Sequence, residues 1–193
     1  MNLDTDIISD QDELLILVDR EDNELGFASK AECHFGSGLL HRAFSVFIFN
    51  SSGQVLLQQR SRQKELWALY WSNSCCSHPR QGEQIESAAN RRIVEELSIN
   101  CELHYLYKFY YQESFGKKGS EHELCSVFVG LFDGEVSINI NEIADWKFID
   151  TEELSRSIDQ HPEKYTPWLQ SEWLELTKNY LDSINQALGL SLN

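Results

Sequence analysis

Proline, methionine and long apolar runs are scarce in this 193-residue chain: it has three prolines and one methionine. No stretch approaches the roughly 20 apolar residues that a membrane-spanning helix needs, so no membrane association is expected. With few prolines, no low-complexity tract and no internal repeat, there is no linker at which to divide the chain. A length of 193 residues fits one domain, 1–193, able to bury roughly 70% of the surface its unfolded form exposes. Basic charge is also short. Sixteen Lys and Arg against 31 Asp and Glu give a formal charge of −15, a field that repels phosphate backbones and excludes nucleic acid as a partner. The opening MNLDTDIISDQDE is acidic where a secretory leader is basic and then apolar. The reading is a cytoplasmic protein whose residues 1–13 form a flexible acidic tail. Five cysteines, an odd number with Cys75 and Cys76 adjacent, argue for reduced thiols and against a disulfide framework.

The basic residues that are present gather in one section, with Arg60, Arg62, Lys64, Arg80, Arg91 and Arg92 between the acidic start and the second half. A local cationic pocket on an acidic protein suits a small phosphorylated ligand assisted by a divalent cation. The same residues also read as a lattice of surface ion pairs. Hydrophobic patterning predicts strands at Leu14–Val18, Ala43–Phe49, Gln54–Gln59, Leu103–Tyr111, Leu124–Leu131 and Trp146–Ile149. Turns are expected around Asp22–Gly26 and at Ser51-Ser52-Gly53, the latter closing a β-hairpin. Ile85, Ala88, Ala89, Ile93, Val94 and Leu97 recur at helical spacing and predict a helix over Gln84–Leu97. Asp150 with Glu153 opens a short helix, and Pro167 opens a longer one running toward Leu188. Strands with helices inserted among them, and no regular β-α-β repeat, indicate an α+β fold, a mixed sheet sandwiched between helices.

Three patterns carry chemistry. The stretch Trp71-Ser-Asn-Ser-Cys-Cys-Ser-His-Pro79 sets a thiol and an imidazole two residues apart just before the charged helix. Cys76 can carry a proton or act as nucleophile there, and His78 can ligate a metal or act as base; each alone reads as well as a packed core residue. Next, Glu83, Arg91, Glu95 and Glu96 fall at the spacing of a Nudix box, S-x5-E-x7-R-R-I-V-E-E-L-S-I from Ser77. Arg92 stands where hydrolases of that superfamily carry a glutamate, and Ser77 and Ser98 stand where glycine is usual. Exchanging one metal carboxylate for a cation should weaken a hydrolytic multi-metal site while leaving Glu96 to meet one Mg2+ on a diphosphate. Finally, Glu121 and Glu123 share one strand face. Alone they read as a solvated edge; joined to His34, His41 and His78 they would make an N3O2 donor set suited to Zn2+ or Mn2+.

Together these motifs resemble the type 1 isopentenyl diphosphate isomerases, Nudix-fold enzymes of isoprenoid synthesis. The resemblance covers roughly Lys30 to Trp168. It rests on His34 with His41 ahead of AFSVFIFN, the WSNSCCSHP loop, the altered Nudix helix, Glu121-x-Glu123, and Thr166-Pro167-Trp168. It implies a Nudix-like mixed sheet forming a single catalytic domain, with Cys76 and Glu123 flanking the substrate and His34, His41, His78, Glu121 and Glu123 holding a metal. It further implies that Glu96 and the Cys76 carbonyl contact Mg2+, that Lys30, Arg60, Lys64 and Arg92 hold the diphosphate, and that Tyr111, one register step from Tyr110, supports Glu123. Cys76 is chosen over Cys75 because the family places its thiol two residues before the histidine.

The implied reaction interconverts isopentenyl and dimethylallyl diphosphate, adding a proton at one end of an allylic unit and removing another two carbons away. Protonating an unactivated alkene passes through a carbocation-like state, which requires a strong acid, a base across the substrate and a dry cavity. Trp168 would offer the cation a π face, an interaction worth about 2 kcal/mol when desolvated. A pyrophosphohydrolase and a closed structural zinc site are the rival readings.

Overall fold

A computed structural model describes residues 10–192. Of the segment expected as an acidic tail, residues 1–9 lie outside that range. At its end the Gln11 and Glu13 carbonyls accept hydrogen bonds from Ala31 and Lys30, and Glu13 pairs with Arg80. In chain order the elements are β1 (Leu14–Val18), β2 (Glu24–Ser29), α1 (Lys30–His34), β3 (His41–Phe49), β4 (Gln54–Arg60), β5 (Trp71–Ser72), β6 (Cys75–Ser77), α2 (Ile85–Leu97), β7 (Leu103–Ser114), β8 (Ser120–Leu131), β9 (Ile143–Asp150), α3 (Thr151–Gln160), α4 (Pro167–Glu175) and α5 (Leu181–Leu188). The strands form one mixed sheet. Its parallel pair is β3 with β8, and all other pairings are antiparallel.

Alternation along β3 builds a core on each side of the sheet. Phe44, Val46 and Ile48 meet Ala88, Ala89, Ile93 and Leu97 of α2. Phe47 and Phe49 face the other way, onto Leu169, Trp173 and Ile184 of α4 and α5. Each fully buried Phe contributes about 2 kcal/mol, so β3 ties both helical layers to the sheet. The expected sandwich of helices on a mixed sheet is what the chain adopts.

The expected hairpin is corrected. Its turn exists, with the Gly53 N–H donating to the Asn50 carbonyl, but β3 and β4 pair only at Phe49 and Val55 before they separate. The loop carrying the two cysteines is wedged between them. Ser74 Oγ accepts from the Ile48 N–H at 2.8 Å and donates to the Leu56 carbonyl at 2.7 Å, replacing ladder bonds with side-chain ones. Asn73 donates to the Val46 and Cys75 carbonyls, and Gln58 to that of Ser74. β6 then pairs with β3, and β4 turns to β5 and β9.

Three smaller differences follow from local chemistry. The first turn spans Asp19–Asn23, held by the Asp19 carboxylate, and Gly26 lies inside β2. α1 had not been expected, although Ser29 and Glu32 form a capping box that starts it. The C-terminal helix is interrupted by a π-helical segment at Leu176–Tyr180, where Thr177 Oγ1 bonds the Trp173 carbonyl.

Candidate active site

Strand register places the first three groups. In the parallel pairing His41 lies opposite Glu123, and across the other edge of β8 Tyr111 lies opposite Glu123 as well. Tyr111 Oη donates to Glu123 Oε2 at 2.5 Å, whereas Tyr110 Oη points away to His122. Glu121, two residues back on the same face, meets His34 at the end of α1, with Nε2 2.8 Å from Oε2. His34 is seated by the β7–β8 turn: Gly119, at φ +155°, passes so close that a Cβ there would lie 2.4 Å from the His34 carbonyl oxygen. His78, just past β6, completes the group with Nε2 3.0 Å from Glu123 Oε1.

The five side chains His34, His41, His78, Glu121 and Glu123 bring ligand atoms within 4.8 Å of one another. Nδ1 of His34 donates to the Lys30 carbonyl and Nδ1 of His41 to the Leu39 carbonyl, both at 2.7 Å. A neutral imidazole so fixed turns the lone pair of Nε2 inward. Imidazole Nε2 atoms and carboxylate oxygens then converge on one point, and buried His41 Nε2 finds no hydrogen-bond partner. This donor set fits a divalent cation of the Zn2+ or Mn2+ type. Burial lowers the proton affinity of His34, but the adjacent Glu121 outweighs it and holds the ring above the usual range. Burial, with His41 and His34 alongside, pushes His78 well below that range. Burial would raise Glu121 and Glu123, yet the imidazoles keep both below the usual carboxylate range.

A cavity of about 290 Å³ opens beside this cluster. Its lining includes Cys76, Tyr111, Glu123 and Trp168 together with the cations Lys30, Arg60, Lys64 and Arg92. Burial pushes the Cys76 thiol up to about 12, only partly offset by Arg60, and pushes Tyr111 well up. Cys75, on the opposite face of β6, donates to Glu96 within the α2 core. Trp168 is fixed by its Nε1, which donates to Ser72 Oγ at 3.0 Å; that same Oγ lies 3.8 Å from Cys76 Sγ. Arg60 stacks 5.2 Å from the Trp168 ring. Lys30 is lowered to about 8, by burial first and then by the neighbouring Lys64 and Arg92 cations.

Glu96 is not among the residues lining the cavity. Its Oε1 accepts from Arg92 Nε at 2.9 Å and Nη2 at 2.5 Å. Arg92 also reaches Glu142, which pairs with Lys64. Glu142 had no spacing signal in the sequence, yet it links two of the cations expected on the diphosphate. The role of Ser72 likewise has no signal in the sequence, because a serine in a loop looks the same whether or not it orients a tryptophan.

Comparison with known proteins gives a consistent picture. Residues 39–169 match the model of the NUDIX domain. The chain is 44% identical over 174 residues to "Isopentenyl-diphosphate Delta-isomerase 1" of Photorhabdus laumondii, covering 89% of this chain and 99% of that protein. It is 43% identical over 171 residues to the Serratia proteamaculans protein named isopentenyl-diphosphate Delta-isomerase, covering 89% and 95%. Among solved structures, a Deinococcus radiodurans protein aligns with a TM-score of 0.64 at 23% identity, covering 77% of this chain and 90% of that one. A MutT protein of Methanosarcina mazei aligns at 0.57 and 16%, covering 70% and 91%. These two share the fold.

Proposed function

The chain belongs to the isopentenyl-diphosphate Delta-isomerases of the Nudix family, and from that membership we propose that Cys76 and Glu123 exchange protons with an alkene held between them. The enzyme interconverts isopentenyl diphosphate and dimethylallyl diphosphate. The observation that carries the assignment of residues is one cavity lined both by a thiol and a tyrosine-bonded carboxylate and by four cations.

Lys30, Arg60, Lys64 and Arg92 hold the diphosphate, which does not react; its binding fixes the alkene against the acid and base. One proton adds to the terminal alkene carbon and another leaves the carbon two positions away, so the substrate gains and loses one proton. Cys76 and Glu123 share one mobile proton. The group that bears it delivers it to the alkene and the other accepts the proton the substrate loses; proton exchange of the pair with solvent then restores the starting state for the next turnover. Tyr111 donates to Glu123 and holds its carboxyl toward the cavity. Trp168 presents a π face to the developing cation, and Trp67, packed edge-on against it at 5.2 Å, helps exclude water. A Zn2+ or Mn2+ ion bound by His34, His41, His78, Glu121 and Glu123 would supply positive charge that polarises the Glu123 carboxyl. Mg2+ arrives with the diphosphate, and Glu96 and the Cys76 carbonyl are the groups proposed to meet it.

A hydrolase reading has the fold in its favour, but Arg92 fills the position of a metal carboxylate and is paired with Glu96 and Glu142. The two readings part in one assay. Incubating isopentenyl diphosphate with the enzyme and Mg2+ should produce dimethylallyl diphosphate with no inorganic phosphate or diphosphate released. Release without isomerisation would overturn the proposal.

A further inference from the structure

Beneath the cavity lies a further carboxyl that the mechanism above does not use. Glu172 sits on α4, one helical turn after Trp168 and on the same face, and is 1% exposed. Its surroundings come from four elements. Cys125 of β8 has its Sγ 3.8 Å from Glu172 Oε1 and also donates to Ser45 of β3. Cys76 of β6 lies directly opposite Ser45 in the β3–β6 pairing. Tyr107 of β7 reaches the Glu172 backbone carbonyl with its hydroxyl. Of the titratable groups here, Cys76, Glu123, Cys125 and Tyr107 are all acids, and among the described residues no cation pairs with Glu172. Its Oε2 has no hydrogen-bond partner.

An unpaired carboxylate in such a place carries a large desolvation penalty, and a buried acid without a cation stays protonated. Burial, with Glu123 nearby, raises Glu172 to about 8 against the Ser45 and Cys125 hydrogen bonds. If it ionised, its charge would oppose ionisation of Cys76 and disfavour every state of the cycle in which Cys76 or Glu123 is negative. We propose that Glu172 is a positioning residue for the isomerisation, a neutral acid under the cavity floor whose ionisation disables the Cys76 and Glu123 pair.

The proposal rests on the isomerase reading, so its test has an arm independent of turnover. Infrared spectra of the resting wild-type enzyme should contain the carbonyl band of a protonated, buried carboxylic acid. The band should be missing in Glu172→Gln and should fade in the wild type as pH rises through about 8. In the second arm, kcat is followed at saturating substrate, which separates the effect from Lys30, whose titration acts through diphosphate binding and therefore through KM. Wild-type kcat should fall roughly tenfold per pH unit above the Glu172 titration. Glu172→Gln, which keeps the shape and lacks the charge, should hold its kcat within about twofold over the same range. An identical alkaline fall in both proteins overturns the proposal, as does a wild-type spectrum with no such band. Should Glu172→Gln fail to fold, the titration of the band in the wild type still decides whether the acid is neutral, and Glu172→Met replaces it in the kcat arm. A titrating band in a protein that never isomerises would sink the isomerase reading, and the positioning role with it, while leaving the neutral acid established.

Discussion

At the scale of single residues, Cys75 and Cys76 separate cleanly because neighbours on a strand face opposite ways. Cys76 enters the cavity and Cys75 enters the α2 core beside Glu96. Parity on β7 distinguishes Tyr111 from Tyr110 in the same way. These residues were legible in the sequence through motif spacing and the family resemblance. Glu142 and Glu172 were not, since a lone glutamate in a loop or on a helix carries no sign of what the fold will bury beside it. Glu123→Gln should reduce turnover more than Glu121→Gln, because both line the cavity but only Glu123 accepts from Tyr111 and is assigned a proton; steady-state kinetics on the two variants decide it, and equal losses would contradict the assignment. Gly119→Ala tests how His34 is seated. The added Cβ must displace the His34 carbonyl, so metal content measured by elemental analysis should fall while secondary structure persists.

At the scale of elements, α2 was legible because its apolar spacing is undisturbed, and β3 and β8 because both are apolar enough to be buried on two faces. The hairpin misled because the turn after β3 is genuine while the pairing beyond it is not; what separates the strands is a polar loop from a distant part of the sequence. Ser74 is the bridge. Ser74→Ala leaves the Ile48 N–H and Leu56 C=O without partners in a dry place, which should cost about 2–6 kcal/mol at roughly 1–3 kcal/mol for each unsatisfied group. Urea denaturation measures it, and a cost below about 0.5 kcal/mol would mean that the wedge does not hold the strands. Ser98 tests the end of α2. It adopts φ 56° and ψ 27°, a left-handed conformation that favours glycine. Ser98→Gly should therefore stabilise the protein by about 1 kcal/mol with no change in kcat.

For the whole molecule, charge governs the response to pH and salt. Asp22 is held low against burial by Lys108 and Arg42, and Glu83 chiefly by its hydrogen bonds with Arg91. Their folded values lie below the ordinary 3.8 and 4.5, so the unfolded chain binds more protons in that window. The stability they confer is complete above the ordinary values and lost as pH falls through the folded ones. Glu172 works at the other end. Its folded value, about 8, lies above its ordinary 4.5, so stability should also decline as pH rises between the two. Denaturation midpoints measured with metal removed should trace both limbs. With a charge of −15, added salt screens the global repulsion of an anionic substrate and the local attraction of the cation cluster in opposite senses. Apparent affinity should then depend weakly on salt.

The central claim is that one thiol and one carboxylate pass protons across a bound alkene, and solvent labelling reaches it most directly. Isopentenyl diphosphate incubated in deuterated water with the wild type and with Cys75→Ala should take up deuterium in the allylic unit, with its diphosphate intact. Cys76→Ala should bind the substrate with similar affinity and take up essentially none. Equal labelling by Cys76→Ala and the wild type would contradict the account.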